Sequence, residues 1–269
     1  MQFYFSKKCK KRNFLICFLV LWSDLIKKKM NILTNQRWLL LIYFMMIFFV
    51  LDAQTESEME GMIKIIGGKP MIGNKDGEKN EKPTFRTEIN TFWLDESPVT
   101  VAQFKLFVKV NYYTTDADRQ GYGRVYNIEK EQFEEIKGAN WEYPQGKNKE
   151  KAKSTDFVRQ ISFNDAKAYA NWLNKRLPTE FELEYTMQQR NNKKYNFQGL
   201  DGSQWEWTDT WYLLYDENDY YSKKLNPSKS LKGGKINAKN NESAIVRPSL
   251  REDASPYQCN SLIGFRCAK

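Results

Sequence analysis

Lys175-Arg176-Leu177-Pro178-Thr179-Glu180-Phe181-Glu182-Leu183-Glu184-Tyr185 is the stretch of this 269-residue chain from which its fold is most directly read. Pro178 ends a short strand-like run, because its ring fixes φ and removes a backbone donor. Thr179 then caps a helix expected over Glu180 to Gln189. Glu180 suits the positive end of that helix, and Arg176 is placed to brace neighbouring loops. Working outward, Ser162 caps an earlier helix, Asn164 to Leu173, with Ala166, Tyr169, Ala170 and Leu173 on one face. Thr100 caps another, carried by Val101, Phe104, Phe107 and Val108 and ending near Asn111.

The rest of the body reads as short strands and coil. Residues 62–66 (MIKII) alternate and then turn at Gly67-Gly68, which predicts a strand and hairpin. Gly73 to Pro83 reads as a loop, and Thr87 to Trp93 as a second short strand. Residues 112–160 lack sustained periodicity and read as irregular chain held by Tyr122, Tyr126, Trp141 and Tyr143. An aromatic block follows at Trp205–Trp211, then loop-rich chain to Lys232, and a final buried strand over Ile263–Ala268. Few helices, short strands and much aromatic-anchored coil define an irregular α+β domain over residues 62–269, without internal repeat or second boundary.

Composition restricts the chemistry. There is no histidine, which excludes His-based triads, His general bases and imidazole metal sites. The net charge of +9 is concentrated at one end: nine of the 42 Lys/Arg but only two of the 33 acids fall in residues 1–53. The remaining body, at a net of +2, offers little for a phosphate backbone, so no nucleic-acid partner is expected. Trp38 to Leu51 is an unbroken apolar run of 14 residues. A membrane-spanning helix needs about 20, so the run suits a signal-peptide core, with Arg37 before it and Ala53 at the expected cleavage point. The expected organisation is a possible upstream extension (1–29), a signal peptide (30–53), a polar linker (54–61) and the domain (62–269). Export to the periplasm or cell surface follows, with membrane contact only through the leader, in a compartment where disulfides persist.

The motifs resemble, in order, those of the formylglycine-generating enzyme (sulfatase-modifying factor) family. Ser97-Pro98-Val99-Thr100 resembles that family's helix entry, and Tyr113-Thr114-Thr115-Asp116-Ala117 a turn that follows it. Gly138-Ala139-Asn140-Trp141, Gln160-Ile161-Ser162, the stretch quoted first, Trp205-Glu206-Trp207-Thr208 and Gly264-Phe265-Arg266-Cys267 complete the series. The resemblance implies an irregular C-type-lectin-like α+β fold. It also implies copper held by two cysteines that oxidise a substrate cysteine with oxygen, since paired thiolates select Cu(I).

At those two positions this chain has Ala238 and Ser243, between Gly233-Gly234-Lys235 and the pair Arg247 and Arg251 that resemble the family's groove arginines. Neither residue can form a copper thiolate. The family's structural disulfide would join Cys267 to residue 170, which is alanine here. Cys259 and Cys267 are therefore expected either to pair with one another across seven intervening residues or to remain thiols. The family's calcium-bearing segment is cut to residues 191–204, leaving Glu206 and Asp201 as candidate oxygen donors for a hard cation that needs six to eight. Glu206 has an alternative role as a buried structural acid. No copper is expected, and calcium only through Glu206 and Asp201. The resulting expectation is a non-catalytic module that binds a protein or peptide partner at the cell envelope. The alternatives are a formylglycine-generating oxidoreductase and a lectin-like sugar binder.

Overall fold

The computed structural model describes residues 42–46, 59–190, 195–215, 227–234 and 246–269. Residues 42–46 are helical; the other residues of 1–58, the expected upstream extension and cleavage point among them, lie outside the described residues. Residues 61–269 form one compact unit.

Four helices are each set by a local cap. Helix α1 (Val101–Asn111) starts on Thr100, and α2 (Asp116–Gln120) on Thr115. Helix α3 (Phe163–Trp172) starts on Ser162, and α4 (Glu180–Gln188) on Thr179. Thr100, Ser162 and Thr179 form complete capping boxes, with Gln103, Asp165 and Glu182 returning the hydrogen bond to the cap backbone. Each satisfies two orphan donors, worth about 0.5–2 kcal/mol per cap. The helices begin where the sequence places them because this chemistry lies within four residues of each start.

The strands form four small sheets. Strand β1 (Met62–Ile65) pairs antiparallel with β4 (Phe92–Asp95), and β2 (Met71–Ile72) with β3 (Phe85–Arg86). The hairpin expected at Gly67-Gly68 is therefore not formed: Met62 lies opposite Asp95, and Gly68 bridges to Ile89. The loop expected over Gly73–Pro83 holds a short 3-10 helix, Lys79–Glu81. A second correction concerns 112–160. Besides α2, that segment contains a six-on-six hairpin, β5 (Tyr122–Asn127) against β6 (Gln132–Lys137). The largest sheet has the order β10-β7-β8-β9, built from β7 (Trp205–Trp211), β8 (Lys229–Lys232), β9 (Glu252–Ala254) and β10 (Ile263–Gly264). Strand β10 runs parallel to β7, and the other two pairings are antiparallel.

Two apolar clusters hold these pieces together. The larger joins Phe104 and Phe107 of α1, Tyr169 and Ala170 of α3, Trp207 of β7 and Phe265. The Tyr169 ring stands 5.3 Å from Phe265 and 5.9 Å from Phe104. The smaller packs Ile65, Phe92 and Leu94 of the β1–β4 pair against Leu183 of α4 and Ala268. Aromatic area substitutes for extended sheet, since each such ring removes about 150–250 Å² from water.

Candidate functional site

Strand β8 leads into Gly233-Gly234, the turn that precedes the two former thiolate positions. Gly233 has φ +87°, and a Cβ on Gly234 would collide with the Trp205 ring, so only glycine allows the chain to approach β7 so closely. Ala238 and Ser243 lie outside the described residues. Beside Trp205 opens a groove of about 400 Å³, between the β5–β6 hairpin and the β10-β7-β8-β9 sheet. Tyr126 and Phe133, packed edge to face at 5.2 Å, form one wall, and Trp205 and Leu231 line the other side. Glu252 and Asp253 line its β9 side, where burial and then the neighbouring Asp253 carboxylate raise the Glu252 pKa. The one guanidinium described against this wall is Arg124, 5.4 Å from the Phe133 ring and 3.4 Å from Gln258 Oε1.

Arg247 and Arg251 do not line that groove. Arg251, 1% exposed, makes a 2.6 Å ion pair with Glu180 and donates to the carbonyls of Asn80 and Leu213. Its guanidinium lies 4.4 Å from the Tyr212 ring and 4.0 Å from Tyr215. Arg247 closes on both carboxylate oxygens of Glu81, on the 3-10 helix. Both arginines are thus anchors that fasten the returning chain to the 73–81 loop and to α4. Their acids stand far off in the chain, 71 residues away for Arg251 and 166 for Arg247.

Helix α4 organises this side of the body through two inward carboxylates one turn apart. Glu180 takes Arg251 and the Tyr215 hydroxyl, while Glu184 takes Lys232 at 2.8 Å and the Gly73 N–H at 2.7 Å. Arg176 forks onto Glu182, both contacts at 2.7 Å. Sequence reasoning assigned Glu180 to the helix start only. The i, i+4 spacing of Glu180 and Glu184 was the available signal for a buried acidic stripe.

The calcium reading is not supported by the geometry. Both Glu206 oxygens receive Arg266, at 2.7 and 2.8 Å, with both side chains fully buried. Asp201 is exposed and accepts the Ser203 N–H of its own turn. Among the described residues no three His, Cys, Asp or Glu side chains group to hold a metal. Both Glu206 oxygens are thus engaged by a guanidinium.

Of the two outcomes expected for Cys259 and Cys267, the structure has the second: both are buried free thiols. Their charged neighbours differ. Burial, then Asp165 and Asp116, push the Cys259 thiol up, whereas Cys267 is raised by burial and then by Asp95. Neither is a reactive thiolate.

Glu81 provides a pH test. Burial pulls its pKa up, but hydrogen bonds from Arg247 and Ser249 outweigh this and hold it at about 2, against 4.5 unperturbed. A depressed carboxyl adds stability above pH 4.5 and loses it as pH falls towards 2, here about 3 kcal/mol in all. Asp165 has the opposite sign, since burial lifts it from 3.8 to about 6, so its contribution is lost as pH rises across that interval. Denaturant titrations of wild type and Glu81→Gln separate the two. The wild-type advantage should shrink between pH 4.5 and 2; a constant difference would show that Glu81 is not held ionised.

Comparison with known proteins follows this geometry. Residues 48–231 and 187–269 match the family described as sulfatase-modifying factor enzyme 1-like domain. The formylglycine-generating enzyme of Streptomyces coelicolor is 31% identical over 168 residues, 55% of this chain and 51% of that protein. That of Bos taurus is 27% identical over 276 aligned positions, covering 77% of this chain and 74% of its own. A bovine protein named inactive C-alpha-formylglycine-generating enzyme 2 is 30% identical over 142 residues, 46% of this chain and 47% of that one. The chain thus spans about half the length of several relatives that it matches. The solved structure of PvdO from Pseudomonas aeruginosa superposes with a TM-score of 0.56, covering 77% of this chain and 93% of the other. At 15% identity that likeness concerns the fold alone, and it agrees with the α+β architecture.

Proposed function

Because the chain belongs to the sulfatase-modifying factor enzyme 1-like family, we propose that it is a catalytically inactive member that binds a protein or peptide segment in the groove beside Trp205. The observation that carries the reading is chemical: where the family resemblance calls for two copper-binding thiolates, this chain has Ala238 and Ser243. Neither offers a soft ligand, and the sequence has no histidine to stand in. Cys259 and Cys267 are buried in different surroundings and do not supply the missing pair. The residues present therefore do not fit copper, and no oxidative step is assigned to them. A relative named inactive is a precedent for such a member.

What remains is a recognition surface. Tyr126, Phe133 and Trp205 give an extended segment broad, rigid contact at small entropic cost, while Glu252 and Asp253 supply polar selection. The apolar run Trp38–Leu51 supports placing the module outside the cytoplasm, at the cell envelope, with the leader cleaved after Ala53. Neither copper nor calcium is assigned as a resident ion.

The reading is tested by incubating the purified protein with a sulfatase-type CxPxR peptide, copper and oxygen, and following the peptide by mass. No conversion is expected, and formylglycine product would overturn the assignment. In parallel, the double substitution Ala238→Cys and Ser243→Cys should gain Cu(I) binding that wild type lacks. Equal Cu(I) binding by wild type would show that other residues hold the metal.

A further inference from the structure

A second cavity, of about 460 Å³, shares no lining residue with the groove beside Trp205. Its wall includes Trp141 and Gln145 from one segment, and Ala152, Asp156, Phe157 and Arg159 from the next. Arg159 is the unusual member. Among the described residues, three fully buried cations each have a carboxylate of their own: Arg251 has Glu180, Arg266 has Glu206 and Lys232 has Glu184. Arg159 is half-buried, yet among the described residues no carboxylate lies within ion-pairing distance of it. Its Nη1 donates to Ser261 O at 3.1 Å and its Nη2 to Ser203 O at 3.0 Å, both neutral carbonyls. A guanidinium has five N–H donors, so these two bonds hold it in place and leave three without a partner among the described residues.

Desolvation lowers the Arg159 pKa, which is the mark of a positive charge not fully compensated by its surroundings. Asp156 acts on it only at longer range, and its Oδ2 accepts the Lys153 N–H at 2.8 Å. We propose that this cavity binds a small monocarboxylate with an apolar or aromatic body, its carboxylate taken by Arg159 and its body lying against Trp141 and Phe157. The planar fork of a guanidinium matches the two oxygens of a carboxylate, a pairing about twice as strong as neutral hydrogen bonds. Asp156 on the same wall disfavours a multiply charged anion such as phosphate. The apolar walls, in turn, require more than a bare ion.

The full chain is titrated with benzoate, with its neutral counterpart benzamide and with inorganic phosphate, using saturation-transfer NMR and the Trp141 indole N–H shift. Saturable binding of benzoate is expected, with benzamide and phosphate each weaker by about tenfold or more. Arg159→Gln should lower benzoate affinity by about tenfold or more and leave benzamide unchanged. Ala152→Phe, which fills the cavity, should abolish both. The proposal is overturned if benzoate does not saturate, if benzamide or phosphate binds as well, or if Arg159→Gln binds benzoate like wild type. Should Arg159→Gln fail to fold, Ala152→Phe decides: loss of benzoate binding supports the site and retention removes it.

Discussion

Arg266→Ala is expected to destabilise the domain by about 3–5 kcal/mol, because it leaves Glu206 charged and alone in the interior. All five donors of Arg266 are engaged: Nε and Nη2 on Glu206, Nη1 on the carbonyls of Asp95 and Glu96, and Nη2 also on Gln198 O. Neither side chain reaches solvent. The loss therefore combines an uncompensated carboxylate with the bonds to Asp95 O and Gln198 O, whereas Glu96 O keeps the Gln198 N–H. Arg266→Lys keeps the charge but not the fork, and should also be strongly destabilised. Replacing both partners, Arg266→Met with Glu206→Leu, should recover much of the loss, since the isolated charge is the larger penalty. Equilibrium urea unfolding measures all three. A single alanine variant within about 1 kcal/mol of wild type would show that the pair contributes little.

Trp207→Ala should cost a similar amount, about 3–5 kcal/mol, for a different reason. Trp207 is fully buried, with its ring 6.1 Å from Phe163 and its Nε1 donating to Ile161 O at 2.7 Å. It thereby joins β7 to the segment that caps α3. Alanine would lose the contacts of the ring and open a cavity. Trp207→Phe keeps most of the packing and removes the donor, leaving Ile161 O unsatisfied, so a loss of about 1–3 kcal/mol is expected. Urea midpoints for the two variants separate packing from hydrogen bonding. Equal losses would mean that the hydrogen bond, not the ring, carries the stability.

The helix starts were legible because their information is local. Thr100, Ser162 and Thr179 each announce a helix, and each forms a capping box. The order of motifs also led to the family, through KRLPTE, WEW and GFRC. Pairing was not legible, because it depends on partners remote in sequence. Nothing near Met62 indicates that β1 lies beside β4, and nothing near Ile263 indicates its parallel register with Trp205. The β5–β6 hairpin was missed because charged residues populate both strands and Gly123 interrupts the first. Its alternation, YGRVYN against QFEEIK across a polar turn, was nevertheless present, and it supplies the Tyr126 and Phe133 wall of the groove. Arg247 and Arg251 were found by position, but not their carboxylates, which come from the 3-10 helix and from α4.

The seam formed by residues 263–269 also bears on how the domain closes. Val99 N–H donates to Phe265 O, Asp95 N–H to Cys267 O and Trp93 N–H to Lys269 O, while Ala268 bridges to Arg176. Both apolar clusters include side chains from this segment, Phe265 in one and Ala268 in the other. A chain in which these residues are unpaired has its helix caps but no closed interior. The contacts that close it span some 170 residues, so loop closure is entropically late. The domain is in that sense drawn shut by one strip of backbone: its local pieces form on their own caps and lock together only when the seam pairs.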